Sequence, residues 1–261
     1  MNELNYQTIK NNIINARATD EHNLRKQLAY LYRVFDYYGW CDLIVTHLSV
    51  RIPGEDALLI LPFGLAFDEI TPENLIKVDF DGNIIDSKFG FQINKNGTTV
   101  HRAVYRNFPQ VNCILHTHST YGVAVSNLEE ELLLLDQIAM MFHGKIGYHD
   151  FETLFINDNE QGHLLHDMQG KYSMILKNHG LISAGASITE AFWFHYYLET
   201  SCKLHVLTRS TGGKIKYPSE ETVINTAAKY ELWRNHNDHL EVSDSELLFD
   251  AAKRKIGYIF G

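Results

Sequence analysis

Apolar residues first fall into a helical rhythm between Asp20 and Tyr38, where Leu24, Leu28, Leu31, Phe35 and Tyr38 share one face and Gly39 stops the run. Ile44 to Arg51 then alternates as a strand, closed by the Pro53-Gly54 turn, and Leu58 to Leu61 reads as its antiparallel partner. Thr71 before Pro72 predicts an N-cap followed by a short helical turn. Leu75 to Asp79 and Asn83 to Ile85 flank Asp81-Gly82, a hairpin signal. Thr98 to Asn107 reads as a helix that Pro109 prevents from continuing. Val111 to His116 is a short apolar strand, and Thr120 to Ser126 a short helix. Met174 to Leu176 predicts a strand broken by Asn178-His179-Gly180, with Leu181 to Ala184 continuing beyond it. Two capping boxes, Ser187 to Glu190 and Ser243 to Glu246, open helices that end near Thr208 and Ile256. From Tyr217 onward the chain reads as mostly helical and polar on one face: a C-terminal arm, residues 217–261, packed on the core or on a neighbouring subunit.

The mixture of hairpins and helices predicts an α/β protein with a largely antiparallel or mixed sheet. No repeat, low-complexity stretch or Pro-rich linker divides it, so a single domain over 1–261 is the expectation. Hydrophobic residues make up 45% and charged residues 21%, ordinary for a globular chain. The net charge of −9 argues against nucleic acid or an anionic membrane surface as partner, since both call for clustered Lys and Arg. No window approaches the roughly 18 apolar residues of a membrane span. The opening MNELNYQTIKNN lacks a basic segment followed by an apolar one, so a cytoplasmic location is expected. Cys41, Cys113 and Cys202 stand at no metal spacing and fit buried thiols.

Placement, not number, distinguishes the histidines. In the run HTHS (116–119), residues i and i+2 of an extended chain share a face, so His116 and His118 can present two imidazoles side by side at a strand end. His179 lies in NHG between two apolar segments, and the following glycine permits close approach of backbone. Three neutral imidazoles with an open fourth position match a catalytic divalent ion, zinc best and manganese as the alternative. His101, on the helix before the HTH strand, is a candidate fourth ligand, outer donor or proton carrier. His143, His149, His163, His166, His195, His205, His236 and His239 have no comparable context and are taken mostly as surface or packing residues.

The segments THLSVR (46–51), LPFGLAFDEIT (61–71), NGTTVHRAVYRNFPQVNCILHTHS (96–119), KNHGLISAG (177–185) and TEAF (189–192) together resemble the class II aldolase/adducin family, over about residues 22 to 210. That family includes fuculose phosphate aldolase, ribulose phosphate epimerase and the adducin head domain. The resemblance implies a three-layer α/β/α sandwich with a central, mainly antiparallel sheet. It also implies a homotetramer with the active site between subunits, and His116, His118 and His179 as the metal ligands.

Other positions depart from the aldolase pattern. The aldolase acid, four residues before the helix His, is Gly97 here. The loop Tyr aligns with Phe151, with Tyr148 and His149 close by. A Ser-Ser pair is Lys95-Asn96, the hydroxyl before the pocket Gly64 is Phe63, and the Asn of the first strand is His47. This is the adducin-like branch pattern. The expectation is a metal-dependent carbon–carbon lyase, of aldolase or decarboxylase type, working through a metal-stabilised enediolate on a small hydroxy-carbonyl substrate. His101 and Tyr148 are its candidate proton carriers, and His47, Gly64, Lys95 and Asn96 its candidate substrate contacts. His47, Lys95 and Arg51 together could suit a carboxylate in place of phosphate. The alternatives are an adducin-like binding module without catalysis and a sugar-phosphate epimerase.

Overall fold

The computed structural model describes residues 5–17, 20–152, 158–237, 240–257 and 259. His239 and the first four residues lie outside them. Eight strands form one sheet: β1 His47–Arg51, β2 Ala57–Ile60, β3 Ile76–Asp79, β4 Ile84–Asp86, β5 Cys113–Thr117, β6 Ile146–His149, β7 Ser173–Leu176 and β8 Gly180–Gly185. Their order is β4-β3-β2-β1-β5-β8-β7-β6. Every pair is antiparallel except β6 with β7. The helices are α1 Tyr6–Asn15, α2 Glu21–Tyr38, α3 Lys95–Asn107, α4 Thr120–Ser126, α5 Gln137–Met140, α6 Asp158–Met168, α7 Ile188–Ser210, α8 Glu220–Asn237 and α9 Asp244–Lys255. α2, α4 and α7 cover one face of the sheet, with α9 against α2 and α7, while α3 and α6 cover the other. The three-layer sandwich with a mainly antiparallel sheet is therefore present.

The helical rhythm of α2 puts Leu28, Leu31 and Phe35 wholly inside, each contributing roughly 1.5–3 kcal/mol by burial. Tyr32 adds a polar fastener. Its hydroxyl accepts from the N–H groups of Leu48 (3.0 Å) and Leu61 (3.1 Å) and donates to the Leu48 carbonyl, tying α2 to β1 and to the end of β2. Asp20 caps α2 by accepting from the Asn23 N–H. Both C-terminal helices find partners: α9 carries the full Ser243/Glu246 capping box, and α8 is pinned to α7 by the Trp193 indole N–H donating to the Tyr230 hydroxyl.

Four sequence expectations are corrected. β1 begins at His47, not Ile44, because Asp42 to Val45 forms a turn closed by the Val45 N–H on the Asp42 carbonyl. Thr71 does not cap a helix: its own N–H donates to the Asn74 side chain, and the helical turn is a 3-10 turn at Phe67–Glu69. The segment after NHG does not continue its strand. β7 and β8 are antiparallel neighbours, so Lys177 to His179 is the turn of a hairpin. α3 starts three residues early, at Lys95, capped by Asn94. The pattern gave no notice of α1, β6 and α6. β6 has only four residues, one of them Gly147, and α6 carries Gly162 among scattered polar residues.

Candidate metal centre

Strand alternation builds the centre. His116 is the penultimate residue of β5, with its side chain on the α3 side of the sheet, and His118 follows two residues later on that side. The β7–β8 hairpin brings His179 beside them. Asn178 makes the turn at φ 57°, in the left-handed region that asparagine tolerates, and its N–H donates to the Ser126 carbonyl. Gly180 then lets β8 run close to β5, since a Cβ there would stand 2.2 Å from the Thr117 carbonyl oxygen. The three imidazoles come to ring-centroid separations of 4.8 Å. One nitrogen from each lies within 4.8 Å of the others.

Two of the three rings are held in orientations that can share an ion. His116 Nδ1 donates to the Leu181 carbonyl (3.0 Å) and His118 Nδ1 to the Asp42 carboxylate (3.0 Å), which fixes both rings with Nε2 pointing inward. The two Nε2 atoms are 3.0 Å apart, close enough for both to reach one metal at roughly 2.0–2.1 Å. Burial, followed by the neighbouring imidazoles His47, His179 and His118, holds His116 well below the usual histidine value. Burial and His118 push His179 down to about 4. Both rings are thus neutral at pH 7, the form that binds metal. Asp42 is a site residue that sequence reading missed. It lies 76 positions from His118 and in a segment expected to lead straight into a strand.

The triad opens into a cavity of about 600 Å³. His47 lies directly across the β1–β5 ladder from His116, at a ring separation of 5.0 Å. Its Nδ1 pairs with His101 Nε2 at 2.8 Å, His101 Nδ1 pairs with Ser49 Oγ at 2.5 Å, and Ser49 Oγ meets the Tyr105 hydroxyl at 2.8 Å. His101 therefore has both ring nitrogens engaged within the protein and stands behind His47, outside the metal triad. Burial first, then the imidazoles His118 and His179, push His47 down to about 3. Gly97 is packed against that ring. A Cβ at 97 would stand 2.3 Å from His47 Nε2, so the space a side chain at 97 would enter belongs to His47.

Asn96 lines the cavity, but Gly64 and Lys95 do not. Lys95 is exposed and Gly64 sits in a turn at φ 101°. Arg51 is turned away, donating to the Tyr105 and Val111 carbonyls. The trio of His47, Lys95 and Arg51 is thus not assembled. Tyr148 also misses the cavity. In β6 it points to the opposite face, among the apolar side chains packed under α7, and its hydroxyl accepts from the Leu132 N–H. Its neighbour His149 takes the cavity side, with Nδ1 on the Asp167 carboxylate at 2.8 Å. His149 therefore lines the cavity, a position its sequence context did not suggest. The only available signal was strand alternation in a β6 too short to recognise. Phe151 is at the cavity, edge-on to His179 at 6.1 Å.

Among the described residues no helix is long and apolar enough to cross a membrane. Residues 26–206 match the family described as the class II aldolase and adducin N-terminal domain. A protein of Pseudomonas aeruginosa named for aldolase class 2 is 39% identical over 196 residues, 75% of each chain. Alpha-adducin of Rattus norvegicus is 36% identical over 196 residues, 74% of this chain but 26% of the adducin. Among solved structures, an aldolase II superfamily protein from Pseudomonas syringae superposes with TM-score 0.84 at 32% identity, covering 92% of this chain and 94% of that one. The L-fuculose 1-phosphate aldolase from Glaciozyma antarctica superposes with TM-score 0.76 at 27% identity, covering 90% of each. With its sheet order, its histidine hairpin and these relatives in agreement, the chain belongs to the class II aldolase and adducin N-terminal domain family.

Proposed function

We propose that the chain is a metal-dependent carbon–carbon lyase, of aldolase or decarboxylase type, acting on a small hydroxy-carbonyl substrate. The observation that carries this is the convergence of His116, His118 and His179 at the floor of a 600 Å³ cavity, with two of the rings pre-oriented by a carbonyl and a carboxylate. Zinc suits three imidazole nitrogens best, with manganese the alternative. A divalent ion there would act as a Lewis acid toward a substrate carbonyl. The chain's own residues do the rest. His149, steered by Asp167, faces the cavity as a proton-handling group, and His47 faces it from β1 with His101 holding its ring.

The lining points away from a phosphate. Asn94, Asn96 and Asn178 bring amides to the lining, Asn94 accepting from the Gly97 N–H and Asn178 donating to Asn127, with their remaining donors suited to hydroxyl and carbonyl oxygens. Lys177 is the cationic side chain among the described lining residues, and its ammonium donates to the Leu128 and Glu129 carbonyls. The favoured substrate is therefore a carbonyl compound carrying hydroxyls or a carboxylate. The adducin relatives support a second reading, a binding module without catalysis.

Elemental analysis of protein purified without chelator separates the two. One divalent ion per chain, lost in His116→Ala, supports the enzyme reading. A metal-free parent that binds added zinc no better than His116→Ala overturns it. Assay of fuculose 1-phosphate and ribulose 5-phosphate beside unphosphorylated hydroxy-keto acids, with zinc, manganese or magnesium, then tests the substrate class. Efficient turnover of either sugar phosphate contradicts the non-phosphate reading.

A further inference from the structure

On the face of the sheet opposite the cavity, directly behind the HTH pair, runs a line of polar side chains sealed from solvent. Ser173 of β7 and Ser183 of β8 meet Oγ to Oγ at 3.2 Å. Ser183 Oγ meets His195 Nδ1 of α7 at 3.1 Å, and His195 Nε2 meets Thr117 Oγ1 of β5 at 3.0 Å. Thr117 donates to Glu199 Oε1 of α7 at 3.3 Å. All five side chains are buried, none more than 3% exposed.

The contacts form one connected network. Thr117 donates to Glu199, so His195 Nε2–H is directed at Thr117 Oγ1, and it also lies 3.4 Å from Glu199 Oε1. His195 Nδ1 meets Ser183, whose hydroxyl in turn meets Ser173, so no side chain in the network is left without a polar partner. Its surroundings are apolar: the rings of Phe35 and Trp40 lie 5.0 and 5.7 Å from His195. A buried carboxylate in such a layer costs far more than the leucine or valine that would fill the space. What the line does mechanically is specific. It stitches β5, β8 and β7 to one helix, and the three histidines stand on the end of β5, just past it and in the β7–β8 turn. Thr117 itself stands between His116 and His118, pointing to the other face of the sheet.

We propose that the Ser173–Ser183–His195–Thr117–Glu199 line positions the metal triad, holding the end of β5 and the β7–β8 hairpin in the relative placement a single ion requires. This rests on reading His116, His118 and His179 as metal ligands. Thr117, His195 and Glu199 are positioning residues that touch neither the ion nor the substrate.

The test compares the full-length parent with Thr117→Val, which keeps the shape and loses the hydroxyl, with Thr117→Ser, which restores it, and with Glu199→Gln. The readouts are zinc affinity by competition with a chromophoric chelator, the visible absorption of the cobalt(II)-loaded protein, and the Tm of the metal-free protein. Thr117→Val should weaken zinc by about tenfold or more, the lower end of what supporting contacts around metal ligands contribute. It should also shift the cobalt bands, and Thr117→Ser should recover both. Should Thr117→Val fail to fold, Glu199→Gln is read by the same criteria. The proposal is overturned if the variants bind zinc within about twofold of the parent, well short of that effect, with the parent's cobalt spectrum, even where Tm falls. A parent that takes up neither zinc nor cobalt removes the metal reading itself, and this proposal with it.

Discussion

Gly97 shows how one residue can be dictated by another 50 positions away. The helix would gain up to about 1 kcal/mol from alanine in place of glycine. Instead, a Cβ at 97 would sit 2.3 Å from His47 Nε2, and His47 is held from behind by His101. Gly97→Ala should therefore destabilise the protein by roughly 1–3 kcal/mol, the overpacking cost outweighing the helix gain. In the His47→Ala background the same change should be neutral or stabilising. Urea unfolding of the four proteins decides it, and strictly additive effects would show that the two sites do not touch. A longer side chain at 97 and the His47 ring would compete for one volume.

At the level of elements, the N- and C-terminal helices depend on each other. Arg17, just past α1, reaches Glu246 of α9 (2.8 Å), while Glu246 also accepts from the Ser243 N–H (2.9 Å) to complete the capping box. Burial pushes the Glu246 carboxyl up, but the hydrogen bonds from Arg17 and Ser243 outweigh it and hold it below the usual value. A carboxyl held low in the folded state contributes stability that is complete above its unfolded value, roughly 4.3. That contribution is lost as pH falls through the folded value. Glu246→Ala should cost about 1–2 kcal/mol at pH 7, as lost caps do. The Tm gap between parent and variant should then close as the pH is lowered below about 4. A gap that stays constant from neutral to acid pH would show that the pairing contributes nothing through its charge.

At the scale of the whole molecule, several large apolar side chains stand exposed near the candidate site. Leu43, Ile44 and Val45 in the turn before β1 are 75%, 37% and 42% exposed, and Phe63 and Phe151 are nearly half exposed. Val45 and Phe151 also line the cavity, so an association covering them would help close the candidate site. The homotetramer that the family resemblance implies would give a tetramer by light scattering at micromolar concentration, and a shift to smaller species in Leu43→Asp. A monomeric parent would count against assembly and against a site shared between subunits.

What could be read from the chain alone was what depends on neighbours in sequence. The face of α2, the Asp81-Gly82 hairpin, α4, the N-cap serines of α7 and α9 and the paired presentation of His116 and His118 all follow from periodicity, turn chemistry and strand alternation within short windows. The expected box at Ser187 is corrected: Glu190 accepts from the Ala186 N–H, so the reciprocal half closes at Ser243/Glu246 but not at α7. The setting of His179 between two apolar segments also points it toward that pair, although the local pattern shows an interrupted strand where the structure has a hairpin turn. Tertiary structure decided the rest. Asp42 reaches His118, Asp167 steers His149, His47 excludes a side chain at 97, and Glu199 and His195 lie behind Thr117. Each of these joins residues from separate elements. Which of them meet is set by strand order and helix docking, and a local hydrophobic pattern carries no record of either.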